Sequence, residues 1–208
     1  MLLSDLILMF AKIKLITMKK VFALFAITLL SVGILSARKP DHVSVVSGNV
    51  KILGEKETLC SVKFDYSNTQ VEEKPLMEFL QEKGDDYVAD WDEEATFAQQ
   101  YFYASFNDEN SRGLQVFAFG SEDVYAYEMT IHVNELDMGE GGSMFNPWAR
   151  RDAGGMKMSG TIEFKDKETG EVVLVLKVDE IKGESHVSQR VRMGLMYDNL
   201  AEEIAELN

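Results

Sequence analysis

The chain has one cysteine, three prolines and three histidines in 208 residues. A single thiol, Cys60, cannot close an internal disulfide, so stability must come from a packed core. Cys60, Val62, Phe64 and Tyr66 alternate with Ser61, Lys63 and Asp65. That alternation puts Cys60 on the apolar face of a strand, where burial makes a thiol inert. His42, His132 and His186 stand at the start, middle and end, at spacings that fit no zinc signature. Basic residues are also scarce, 21 Lys and Arg against 35 Asp and Glu, for a net charge of −14. Such a surface repels phosphate backbones and argues against nucleic acid as a partner.

Several motifs are absent as well. Gly139–Gly142, GEGG, lacks the Lys-Ser/Thr ending of a phosphate loop and follows a strand without opening a helix. There is no G-x-S-x-G elbow. Asp85–Glu94 is acid-rich but lacks the ligand order of a calcium loop, and reads as a solvated interhelical stretch. No residue pattern calls for a metal or a cofactor. Asp65, Glu128, Glu135 and Asp137 could supply paired carboxylates, but their separations are not readable from sequence, so a carboxylate-dependent hydrolase is the weakest reading.

Met18–Ala37, MKKVFALFAITLLSVGILSA, has the charged start, apolar middle and small-residue exit of a secretory signal. Its core, Val21–Leu35, offers 15 residues, where a membrane span needs about 20. A cleavable leader over 18–37 is therefore expected, after a mis-called gene start over 1–17. One exported domain over 38–208 follows, with no lipid-anchor cysteine and no stable membrane insertion. Removing 1–37 takes away Lys12, Lys14, Lys19, Lys20 and Asp5, which deepens the negative net charge by three. The expected location is periplasmic or extracellular.

The rest divides into alternating and helical stretches. His42–Leu53 and Thr58–Tyr66 read as an N-terminal hairpin around Gly54–Glu57. Ser67–Lys74 is a polar connection. Pro75 opens a helix with Leu76, Phe79 and Leu80 on one face, ended by Gly84. A second, aromatic-rich helix is expected from about Asp92, and a polar loop over 107–113. Strands follow at 114–119, 124–136, 156–164 and 171–182. A terminal helix carries the stripe Val187, Val191, Leu195, Met196, Leu200 and Ile204, interrupted by Gly194. The order ββααββββα predicts an α+β fold, a mostly antiparallel sheet with helices on one face.

Asp137–Gly155, DMGEGGSMFNPWARRDAGG, has five glycines and no periodicity. Loops of this length in compact domains are often functional. Phe145, Trp148, Arg150 and Arg151 put aromatic rings beside positive charge on an acidic chain. Trp and Arg are enriched at binding hot spots, so these four are the candidate partner-binding residues.

Gly160–Val178, GTIEFKDKETGEVVLVLKV, is followed by Gly183-x-Ser185 and a helix with Arg190 and Leu200-Ala201. This ending resembles exported, uncharacterised proteins of Gram-negative envelopes, and is similar to periplasmic domains of curli-secretion-pore-like proteins. The resemblance implies envelope placement. It does not extend to a pore role, because the lipid-anchor cysteine and a membrane-spanning insertion are missing.

The sequence thus predicts a non-enzymatic binding or envelope-assembly module whose contact surface is 137–155. Its partner is an unknown protein. The alternative is a carrier of a small apolar ligand held between the sheet and the C-terminal helix.

Overall fold

The computed structural model describes residues 42–121, 124–139, 154–186 and 188–208. Strand β1 is Val43–Gly48, followed by a 3₁₀ turn at Val50–Gly54. Strands β2 (Leu59–Asp65), β3 (Gln70–Val71) and β4 (Lys74–Pro75) lead to helices α1 (Leu76–Lys83) and α2 (Asp85–Glu109). Strands β5 (Gln115–Ala118), β6 (Tyr127–Asp137), β7 (Lys157–Asp166) and β8 (Val172–Lys182) precede helix α3 (Gln189–Ala205). The order is α+β, as expected. The expected leader and gene-start segments lie outside the described residues.

The eight strands form one mixed, mostly antiparallel sheet in the order β1-β8-β7-β6-β2-β5, with β3 pairing to β6 and β4. β6, β7, β8 and β1 are antiparallel neighbours, and β2 lies parallel to both β6 and β5. One face carries Cys60, Val62, Met129, Ile131, Ile162, Phe164, Leu174 and Leu176, all buried. The opposite face carries Lys63, Thr130, His132, Thr161 and Lys177, which are half-buried or exposed. One covered and one wetter face is the pattern the alternation in β6 announces.

The N-terminal hairpin is not formed. β1 pairs with β8 at one edge, and β2 sits between β6 and β5. The reason is local. Ile52 and Leu53 are adjacent, yet both are buried. A strand sends neighbours to opposite faces, whereas a helical turn can bury both. Asn49 caps that turn through Lys51 N–H at 3.2 Å. The turn carries the chain away from β1 before β2 begins.

Helix α2 starts seven residues earlier than expected. Gly84, at φ 133°, breaks α1 and starts α2 at once. Asp85 and Asp86 then occupy its first turn, where the helix dipole favours acids. The buried stripe is Trp91, Ala95, Ala98, Phe102 and Phe106, one face of a continuous helix. The polar connection 67–74 hides β3 and β4, which form a minimal hairpin. Its two turn residues, Glu72 and Glu73, sit at φ 50° and 65°. Positive φ at both central positions is the type I′ pattern, which usually selects Asn-Gly.

Helix α3 buries Met196, Leu200 and Ile204, as expected, with Met193, Tyr197 and Ala201 beside them, and Val187 lies outside the described residues. Val191 and Leu195 are only half-buried. Gly194 faces helix α2 rather than the sheet. A Cβ there would lie 2.6 Å from Cδ2 of Tyr101. The small residue lets the two helices cross closely on the covered face of the sheet.

Candidate functional site

β6 and β7 pair as far as Asp137 and Lys157. The chain then leaves at Met138 and returns through Gly154, Gly155 and Met156. Phe145, Trp148, Arg150 and Arg151 belong to this excursion but lie outside the described residues. Its two roots are described, and they are tightly built. Gly139 has φ 61°, and a Cβ on it would lie 2.5 Å from the carbonyl oxygen of Gly154. A Cβ on Gly155 would overlap the carbonyl of Gly183. Gly183 is in turn pressed on α3, where a Cβ would stand 2.6 Å from Met196 N and 2.7 Å from Arg192 O. Three backbones therefore stack without side chains between them. Hydrogen bonds reinforce the stack: Gly183 N–H donates to Met156 O at 2.8 Å, and Gly139 N–H to Asp137 Oδ1 at 2.9 Å.

Arg192 fastens the same place. Its side chain is 5% exposed. Nη1 donates to His186 O at 2.9 Å and Nη2 to Met138 O at 3.2 Å. One guanidinium thus joins α3 to the lead before it and to the outgoing root. Burial lowers its pKa, and the nearby Glu94 carboxylate opposes that shift. No local pattern singles out Arg192. It sits inside a helical run, and its partners are backbone carbonyls remote in sequence.

Beside the roots lies a groove of about 850 Å³. Lys83, Lys157, Lys182 and Arg192 line it, together with Phe79, Tyr87, Glu72 and Asp137. Lys157 Nζ is 2.9 Å from Glu180 Oε1, and Lys83 Nζ stands 4.9 Å over the Phe79 ring. Glu72 and Asp137 also line a second depression of about 620 Å³, with Glu73 and Glu135. A third, of about 230 Å³, shares Asp137 and Lys157 with the first.

The expected carboxylates separate. Glu135 and Asp137 meet at the second depression. Asp65 and Glu128 belong to the open sheet face, and Asp65 lies against His132 across the β2–β6 register, Oδ2 to Nδ1 at 3.0 Å. His132 is therefore paired on that face. Among the described residues, no group of three or more His, Cys, Asp or Glu could hold a metal ion. Cys60 is fully buried, as its strand position predicts, and desolvation pushes its thiol up. Near α3, Ser188 N–H donates to His186 Nδ1 at 3.1 Å.

Asp65 is held below the usual carboxylate range of 3.8, first by the Ser67 backbone N–H and also by His132. A depressed folded-state pKa contributes stability that is present above the unfolded pKa and lost as pH falls through the folded one. Wild-type stability should therefore fall on acidification below about pH 4, and Asp65→Asn should flatten that part of the curve. Urea midpoints measured from pH 6 to pH 2.5 check this. An unchanged acid limb in the variant would count against the pairing.

The space between the sheet and α3, where an apolar ligand was an alternative, is occupied by side chains. Phe64 and Tyr197 rings meet at 4.8 Å, and Tyr66 and Tyr197 hydroxyls at 2.6 Å. Burial pushes Tyr66 up to about 12. Among the described residues, no helix is long and apolar enough to cross a membrane.

No family model matches the chain. No curated protein matches it either. Among solved structures, it is similar to the PelC dodecamer from Paraburkholderia phytofirmans, at 14% identity and a TM-score of 0.40, covering 77% of this chain and 96% of that one. A single-substitution variant of the same dodecamer gives 13% identity and a TM-score of 0.36 over the same shares. Likeness at this level carries no inference about activity or assembly.

Proposed function

We propose that this chain is a non-catalytic binding or envelope-assembly module, exported behind the Met18–Ala37 leader, that meets its partner through 137–155. The observation that carries the reading is the construction of the roots. Gly139, Gly155 and Gly183 allow backbone-to-backbone contact, and the buried Arg192 bonds the outgoing root. A long connection with no packing role would not need such a base. Binding segments are commonly held out from a rigid scaffold in this way. The segment's own Phe145, Trp148, Arg150 and Arg151 supply ring and charge for the contact. The C-terminal resemblance to exported envelope proteins agrees with that placement. The filled space under α3 favours this reading over the apolar carrier.

The test is photo-crosslinking from position 148 in the full chain, expressed in its native envelope. A discrete adduct that disappears in Arg150→Ala/Arg151→Ala is expected. Absence of any adduct from 148, with adducts forming from position 130 on the open sheet face, would overturn the assignment.

A further inference from the structure

We propose that the outer edge of β1 docks an extended, basic segment of a partner protein, which adds to the sheet as a further strand. The inference is independent of the 137–155 contact.

The other edges of the sheet are closed. β5 is four residues long, and Asn107 of α2 holds its outer side. Val116 N–H donates to Asn107 Oδ1 at 2.7 Å, and Asn107 Nδ2 donates to Val116 O at 2.8 Å. β4 is two residues long and ends in Pro75, which has no N–H. β1 is different. Its six residues, VSVVSG, include no charge and no proline, the usual guards of an edge strand. All but Val43 are exposed, Val45 at 44% and Val46 at 62%.

The backbone at this edge has a defined direction. Val43 N–H donates to Glu203 Oε2 at 3.0 Å, so it points away from β8. His42 O accepts from Asp179 N–H at 2.8 Å, so its neighbour points toward β8. Alternate residues of an antiparallel edge turn their N–H and C=O outward. Val45 therefore follows Val43, without a carboxylate to cap it. The register slips between Val45 and Ser47, a bulge that keeps the open stretch short and centred on Val45. Outward N–H and C=O beside exposed valines are complemented by another extended backbone.

Charge decides which backbone. Glu203 fixes α3 beside the start of β1. Beyond the end of β1, a Cβ on Gly54 would lie 2.6 Å from Asn208 Oδ1. The end of α3 therefore runs alongside β1. It carries Glu202 and Glu206, both exposed, and no base in its last turn. The negative pole of the helix lies there too. Of the nearby cations, Lys177 is paired with Asp179 Oδ2 at 3.1 Å, and Lys51 stands beyond the end of the strand. A second copy paired edge to edge about a two-fold axis would bring Glu202 and Glu206 toward their own counterparts, on chains that each carry −14. Like charges disfavour that copy and favour a strand bearing Lys or Arg.

The experiment is fluorescence anisotropy of the full chain with three labelled peptides: KTVTVTK, the same peptide N-methylated throughout its interior, and ETVTVTE. Saturable binding of KTVTVTK that weakens with added salt is expected. The other two should bind about tenfold or more weakly. Val45→Pro should weaken KTVTVTK similarly and keep the wild-type melting temperature, because an outward N–H is not used by β8. Val46→Lys, at the exposed bulge, should weaken it through charge alone. No binding of KTVTVTK would overturn the inference. Equal binding of the N-methylated peptide would overturn strand pairing, and equal or tighter binding of ETVTVTE would overturn the basic occupant. Sedimentation of the chain alone as a dimer that Val45→Pro dissociates would give the edge to a second copy and overturn the proposal.

Discussion

Phe102→Ala is expected to destabilise the protein by about 3–5 kcal/mol, the largest single-residue effect in the core. Phe102 is fully buried at the centre of the α2 stripe. Its ring meets Phe64 edge-on at 5.6 Å and stacks on Phe106 at 5.8 Å. Truncation removes both contacts and leaves a cavity between helix and sheet that neighbouring rings cannot collapse to fill. Against a total stability of roughly 5–15 kcal/mol, such a loss takes a large share. The melting temperature should fall by roughly 10 °C. Phe97 is the control on the same helix. It is 40% exposed and shares its ring face with Arg190 at 4.9 Å. Phe97→Ala should cost about 1 kcal/mol or less. Thermal unfolding of the two variants side by side checks the ranking, and equal losses would show that α2 does not pack as described.

Gly155→Ala is the second large effect, and it acts at the site. The added methyl overlaps the Gly183 carbonyl, which is backbone and cannot rotate away. Gly183 cannot retreat either, because the backbone at Arg192 and Met196 stands behind it. Either the return root or the end of β8 must move. Overpacking against backbone costs about 1–3 kcal/mol, and the upper end is expected here. The structural consequence matters more than the energy. Displacing the root breaks the register of Gly139, Gly154 and Met138 that shapes the groove. Gly154→Ala is the matched control, since a Cβ there meets nothing within 4 Å. Amide hydrogen exchange at Gly183, whose N–H donates to Met156 O, should speed up in Gly155→Ala and not in Gly154→Ala. Unchanged exchange in both would show that the three backbones are not in contact.

The sheet strands were legible because alternation is a short-range signal. Met129, Ile131 and Val133 announce a covered face within a single strand. The terminal strand pair was legible for the same reason. What failed was pairing and phase. β1 and β2 look like a hairpin because both alternate and a glycine lies between them. Only the adjacent buried pair Ile52-Leu53 signals a turn instead. The first half of the α3 stripe differs because Tyr197 and Met193 are as apolar in effect as Val191 and Leu195. Which set turns inward is decided by Tyr101 against Gly194, a tertiary contact. The acid run 85–94 concealed the first turns of α2, since charges at a helix start and in a loop look alike in sequence. At the site, the glycine-rich composition of 137–155 was visible. The convergence of Lys83, Lys157, Lys182 and Arg192 was not, because they come from α1, β7, β8 and α3.

The central claim is that 137–155 is the contact surface. Affinity capture from the native envelope with the full chain and two double variants tests it most directly. Trp148→Ala/Arg150→Ala alters the segment, and Lys63→Ala/Thr130→Ala alters the open sheet face. The expected result is one partner protein held by wild type and by the sheet-face variant, and lost from the segment variant. Retention by the segment variant with loss from the sheet-face variant would contradict the claim and move the contact to the other side of the sheet.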